Sequence, residues 1–276
     1  MFGKIKALLE IIRLQVVAGG VTGVFIGGIV SGFQYDLLSL FLAMIAIFLV
    51  TAGSMALNDY FDWKIDSMVH PKRPIPSGRL SPKDGLSFAL ISFFTALCLA
   101  FFINILCFYI AIISIGLIIL YEIFLKNQGI AGNMLVAFVC SMAFMFGAAS
   151  VGQFSNVLLL AVMMFFPVIG REILMDIRDM DGDILARATL PIKIGKKSAV
   201  YLSCMFLSIL VLLTPLPIIW NILGIWYLIV FVFVDILVIY AIILSLRDVN
   251  NVGKAADIIK LTIAVVLVGF IVGIVF

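Results

Sequence analysis

Residues 37–57 read LLSLFLAMIAIFLVTAGSMAL, and residues 58–78 continue as NDYFDWKIDSMVHPKRPIPSG. The first stretch has the roughly 20 apolar residues that a helix needs to cross a bilayer. The second places Asp59, Asp62 and Asp66 at the mouth of that helix and then enters a basic loop stiffened by Pro71, Pro74 and Pro76. A helix that continues past Leu57 turns by about 100° per residue. With Asn58 as zero, Asp62 falls at about 40°, Asp66 at about 80° and Asp59 at about 100°, so all four share one face. Carboxylates crowded on one face repel one another unless cations neutralise them. The spacing therefore predicts a cation-binding face at the end of a membrane helix.

The rest of the chain fits that frame. Of its 276 residues, 64% are hydrophobic and only 12% charged, against roughly 25% charged in a soluble domain. Apolar segments near 14–32, 37–57, 86–105, 107–125, 130–151, 157–175, 199–218, 222–246 and 258–276 predict nine transmembrane helices. None alternates as a strand does, so the expected fold is all-α, a polytopic helical bundle forming one domain over residues 1–276. The basic, amphipathic start MFGKIKALLEIIRLQ does not read as a removable signal peptide. Cys98, Cys107, Cys140 and Cys204 fall in apolar spans without paired spacing and read as buried small hydrophobes. His70 is the single histidine, which excludes a His-based metal site or a Ser-His-Asp triad. Gly19, Gly20, Gly23, Gly27 and Gly28 in the first span predict close helix packing.

Charge sets the expected orientation. With nine spans and a cytoplasmic N-terminus, the cytoplasmic parts are 1–13, 58–85, 126–129, about 171–198 and 247–260, and they hold all 18 Lys and Arg. The opposite loops, SGFQYD (31–36), VGQFSN (151–156) and TPLPIIWN (214–221), hold none. The positive-inside rule then puts the chain in the cell membrane with its chemistry on the cytoplasmic face.

The acids cluster as well. Nine of 15 lie in two patches, Asp59, Asp62, Asp66 and Asp84, then Glu172, Asp176, Asp179, Asp181 and Asp183. With Asp176 as zero on a helix, Asp183 lies at about −20°, Glu172 at about −40° and Asp179 at about −60°, while Asp181 points elsewhere. Both patches follow even-numbered spans and face the same side. Hard divalent ions take oxygen ligands, and Mg²⁺ is commonly held by one or two carboxylates plus substrate phosphates. Two such faces around a central cavity suit two Mg²⁺ ions gripping a diphosphate.

These residues resemble a known family. Asn58-Asp59-Tyr60-Phe61-Asp62-Trp63-Lys64-Ile65-Asp66 fits the NDxxDxxxD motif of the UbiA superfamily of intramembrane prenyltransferases. Residues 71–78, PKRPIPSG, resemble that family's PxRPIPSG continuation, and residues 176–183, DIRDMDGD, its DxxDxxGD motif. Tyr121 with Leu125-Lys126, and then Gly132-Asn133, resemble the end of the family's fourth helix and the start of its fifth. One departure is Val69-His70, where many members carry an Asn and a basic residue before the first proline.

The resemblance implies transfer of a prenyl group from an allylic diphosphate to an acceptor. It implies two Mg²⁺ ions held by Asn58, Asp62, Asp66, Asp176, Asp179 and Asp183, with Asp62, Asp66, Asp179 and Asp183 as the catalytic carboxylates. It places Asn58, Asp59, Lys72, Arg73, Arg79, Tyr121 and Lys126 at the substrates. Within the family, the compact length and the run from MDIRDMDGD to ATLPIKIG resemble archaeal members that make ether lipids. Those join a geranylgeranyl group from its diphosphate to the hydroxyl of geranylgeranylglyceryl phosphate; an aromatic, 4-hydroxybenzoate-like acceptor is the alternative. The expected partners are the prenyl diphosphate, a lipidic acceptor and membrane lipids, and no nucleic acid.

Two other classes fit the residues less well. Asp181-Gly182-Asp183-Ile184-Leu185-Ala186-Arg187 faintly echoes a CDP-alcohol phosphotransferase, but three residues rather than two separate DG from AR, and 190–205 contain no Asp. A secondary transporter keeps its acids near the bilayer midplane, whereas only Asp235 is placed so here.

Overall fold

Inside lipid a backbone has no water to bond to, so an open chain satisfies it as helices. The computed structural model describes residues 2–32, 36–154, 156–183 and 188–276, without the side chains of residues 2, 3, 5 and 181–183. Every regular element among the described residues is helical. In chain order these are α1 (Phe2–Ile12), α2 (Leu14–Val30), α3 (Leu37–Val69), α4 (Pro82–Ile103), α5 (Ile105–Ile123) and α6 (Ile130–Ser150). There follow α7 (Val157–Asp183), α8 (Leu190–Ile194), α9 (Lys196–Leu213), α10 (Leu216–Ile219), α11 (Tyr227–Arg247) and α12 (Val252–Val275). Short 3₁₀ turns occupy Leu125–Asn127 and Val249–Asn251.

Among the described residues, eight helices are long and apolar enough to cross a membrane. The number becomes nine if Lys6–Ile12 and Leu14–Val30, bent by 54° at Arg13, make one span. The chain is a multi-pass membrane protein. The expected first span, 14–32, is only the 17-residue α2. The 105/107 junction turns at Asn104, whose extended backbone ends α4 and caps α5. Its side chain accepts from the Cys107 amide at 2.8 Å and donates to the Ala149 carbonyl at 2.9 Å.

Helix length places the acids. α3 has 33 residues, about 50 Å at 1.5 Å per residue, against a hydrocarbon core of about 30 Å. Its last dozen residues therefore emerge from the apolar layer, and these carry the first aspartate motif. The 27-residue α7 is the next longest and ends on the second motif.

The packing forms two lobes. α3, α4 and α5 follow one another on one side, α7, α9, α11 and α12 on the other, and α2 crosses α6 between them. The crossing is close because it is built on glycine. A β-carbon on Gly27 would collide with the Phe144 carbonyl, and one on Gly147 with that of Val24. The expectation of close packing thus holds at Gly27, and at Gly28 against Leu40, while Gly19 faces open space. In the second lobe Tyr227, Phe231 and Phe270 stack, and Tyr227 Oη donates to the Thr214 carbonyl at 3.0 Å. The mid-span Asp235 accepts from Thr214 Oγ1 at 2.9 Å. Each lobe contributes one acid-bearing helix.

Candidate active site

The end of α3 inverts the usual burial rule. Asp59, Asp62 and Asp66 are 2%, 8% and 5% exposed, while Phe61, Trp63, Met68 and Val69 on the same turns lie exposed. The α-helical spacing read from the sequence puts the three carboxylates on the inner face, and each meets a cation from a different element. Arg13, at the break between α1 and α2, pairs with Asp59. Lys126, from the turn after α5, pairs with Asp62 at 2.7 Å. Arg73, from the proline-stiffened loop, pairs with Asp66 at 2.6 Å. Asn58 donates from Nδ2 to Glu122 on α5 at 2.9 Å. Lys126 also bonds Glu122, at 2.8 Å, with its ammonium 5.9 Å from the centre of the Tyr121 ring.

Arg13 holds a left-handed backbone, φ 51° and ψ 67°, a conformation that costs a residue with a β-carbon roughly 1–2 kcal/mol. Such strain persists where the surroundings over-determine it, and the buried Asp59 carboxylate is the partner that does so here. Helix α1 is tied to the same end twice more, by Arg79 to Glu10 at 2.6 Å and by Lys4 to Asp84 at 3.6 Å.

The loop after α3 is fixed from below. Ile75 and Leu80 are buried against α3 and α4, and Gly78, at φ +75°, makes a turn that L side chains rarely adopt. Arg79 donates to the Lys72 carbonyl at 2.7 Å and to Ser77 Oγ at 3.0 Å, so it braces the loop. Lys72 stands exposed in a shallow cleft of about 300 Å³ with His70 and Arg73. Asp84, counted with the first acid patch, caps α4. It accepts from the Ser81 amide and hydroxyl at 2.9 Å, in a reciprocal capping box.

The second motif is more open. Asp176, on α7, accepts from Asn133 Nδ2 on α6 at 2.9 Å. Asp179, with half of its side chain exposed, pairs with its neighbour Arg178 at 2.8 Å, and Glu172 pairs with Arg171 at 2.9 Å. The side chains of Asp181 and Asp183 and the whole of Arg187 lie outside the described residues. Lys126, which touches the first set, and Asn133, which touches the second, are seven residues apart on the α5–α6 hairpin. Both sets therefore lie at one end of the bundle.

Among the described residues, no three acid, His or Cys side chains converge closely enough to cage an ion by themselves. The physical reason is visible in the pairing: each described carboxylate of the motifs is turned toward a cation or an amide. The donor set nevertheless fits a hard cation. Its atoms are carboxylate and amide oxygens, with no thiol or imidazole among them, and Mg²⁺ takes such ligands a few at a time and completes its shell with water and phosphate.

The structure adds Glu122, Arg13 and Asn133 to the site. Glu122 had a signal in its i,i+4 spacing from Lys126. In the sequence Arg13 reads as one of the charges that orient the chain, and Asn133 as a motif landmark.

Known proteins resemble the chain over nearly its whole length. Residues 20–271 match the model of the UbiA prenyltransferase family. A curated relative from Methanococcus maripaludis, named digeranylgeranylglyceryl phosphate synthase, is 36% identical over 274 residues, 98% of either chain. A solved structure of digeranylgeranylglyceryl phosphate synthase superposes with a TM-score of 0.81 at 34% identity, covering 99% of both chains. A UbiA homolog from Archaeoglobus fulgidus, bound to GPP and Mg²⁺, shares the fold with a TM-score of 0.70 at 15% identity, covering 96% of this chain and 99% of its own. The chain belongs to the UbiA prenyltransferase family.

Proposed function

We propose that this protein transfers a geranylgeranyl group from geranylgeranyl diphosphate to the free hydroxyl of geranylgeranylglyceryl phosphate, giving digeranylgeranylglyceryl phosphate. The observation that carries the chemistry is the buried face of Asn58, Asp59, Asp62 and Asp66, with cations arriving from three separate elements. End-to-end similarity to the methanogen synthase supports the acceptor.

Asn58, Asp62 and Asp66 on α3, with Asp176, Asp179 and Asp183 on α7, would hold two Mg²⁺ ions. Bound there, Mg²⁺ supplies Lewis-acid neutralisation of the charge that develops on the departing diphosphate. Lys126 and Arg73 sit beside the same carboxylates and donate to diphosphate oxygens, Arg73 with a planar fork suited to two contacts. Lys72 and Arg79 add positive charge at the loop, and Tyr121 flanks Lys126. The bond from the allylic C1 to the diphosphate oxygen breaks and leaves its electron pair on the diphosphate. The acceptor hydroxyl oxygen forms the ether bond to C1, and its proton passes to the departing diphosphate, which already holds the electron pair of the broken bond. A central cavity walled by the apolar bundle keeps the allylic cation from water. The single membrane domain spans nine times, α1 and α2 making the first span. Its N-terminus and both acid sets lie on the cytoplasmic side, where the positive-inside rule places the basic loops.

Purified protein offered labelled geranylgeranyl diphosphate, Mg²⁺ and a panel of acceptors is the test. Transfer to geranylgeranylglyceryl phosphate is expected. Prenylation of an aromatic acceptor, with that phosphate ignored, would overturn the acceptor assignment and leave the family intact.

A further inference from the structure

Glu122 lies outside both aspartate motifs, yet it joins Asn58 of the first set to Lys126, the cation on Asp62. It is 9% exposed, near the end of α5, and bonds two residues of the site at once. One oxygen accepts from Asn58 Nδ2 at 2.9 Å, the other from Lys126 Nζ at 2.8 Å, and Lys126 donates onward to Asp62 at 2.7 Å.

Two physical consequences follow from that arrangement. An ionised carboxylate only accepts hydrogen bonds. Asn58 must therefore turn its NH₂ toward Glu122, which sends Oδ1, the atom a hard cation takes, to the opposite side. Lys126 has three N–H groups; two go to Glu122 and Asp62, which leaves the third for an anionic oxygen. A Glu–Lys pair serving helix stability alone needs none of this and belongs on a solvated face, since burial strips both charges of hydration.

We infer that Glu122 is a positioning residue for the metal and diphosphate half of the site. It fixes the amide of Asn58 and the ammonium of Lys126 without touching the reacting atoms. The inference rests on the prenyl-transfer function proposed above. Groups that orient metal ligands from behind cost about 10–100-fold in metal affinity when removed.

The test is equilibrium binding of labelled geranylgeranyl diphosphate to the full-length protein in lipid nanodiscs, titrated with Mg²⁺, alongside the KM for the acceptor. In Glu122→Gln, the Mg²⁺ concentration for half-maximal binding should rise about tenfold or more, with the acceptor KM unchanged. In the Asn58→Ala background the same substitution should add little to the Mg²⁺ requirement, because the two residues act together. Glu122→Asp keeps the charge but withdraws it by one methylene, and is the variant to use should Glu122→Gln fail to fold; it too should raise the Mg²⁺ requirement. Wild-type Mg²⁺ dependence in whichever variant folds overturns the inference. So does an equal loss of diphosphate and acceptor affinity with the Mg²⁺ midpoint unmoved, the mark of a merely structural residue. Wild-type protein whose diphosphate binding ignores Mg²⁺ would overturn the functional proposal itself, and this inference with it.

Discussion

The two acid-bearing helix ends carry similar motifs in different states. At the end of α3 the carboxylates are buried, and each is held by a cation delivered from another part of the chain, Arg13, Lys126 or Arg73. At the end of α7 the described ion pairs are local, Asp179 and Glu172 each bonding the arginine beside them in sequence, and the contact from another element is the neutral amide of Asn133 on Asp176. The described ion pairs of one end cross between elements, and those of the other stay within its own helix. On the proposed function, the α3 set would be the preorganised half of the site and the α7 set the half that completes it around the diphosphate.

The sharpest way to break this comparison is to neutralise one carboxylate on each side. Asp62→Asn and Asp183→Asn should each reduce kcat by about 10²–10³ fold, the scale of losing one preorganised electrostatic contact to developing charge, while both proteins still insert. Near-normal turnover in both would sink the account of two cooperating sets. Stability should divide the ends differently. Lys126→Met leaves Asp62 and Glu122 buried without their shared cation and should cost about 3–5 kcal/mol, read from the unfolding midpoint in detergent. An intermediate effect is expected at Arg73→Lys, which keeps the charge but loses the planar fork; the KM for the diphosphate should rise by roughly tenfold, one lost charge-assisted contact. Smallest of all is Arg178→Met. Its exposed pair with Asp179 should contribute no more than about 1 kcal/mol, and a loss as large as that of Lys126→Met would show the α7 end to be prebuilt as well.

Much of this was legible in the sequence because membrane helices are simple objects. The length of the apolar run at 37–57 and the spacing of Asn58, Asp59, Asp62 and Asp66 fix a helix and its polar face, and the structure buries that face. The segregation of Lys and Arg marked one end of the bundle. What stayed hidden depends on long-range packing. Arg13 lies 46 residues from Asp59, and Glu122 lies 64 from Asn58, separations at which no helical period applies. Asp84 shows the converse. Grouped with its neighbours as one acid patch, it is a helix cap, which the Ser81-Pro82-Lys83-Asp84 spacing already encodes. The second set was read as the equal of the first because periodicity reports which face a residue occupies and says nothing of whether that face is covered.

The most direct measurement is equilibrium binding of geranylgeranyl diphosphate, with and without Mg²⁺, to the wild-type protein and to Asp62→Asn and Asp183→Asn. Binding that is strengthened by Mg²⁺ in the wild type, and loses that strengthening in each variant, is the result predicted for one diphosphate gripped from both helices. Undiminished Mg²⁺-dependent binding in either variant would contradict it.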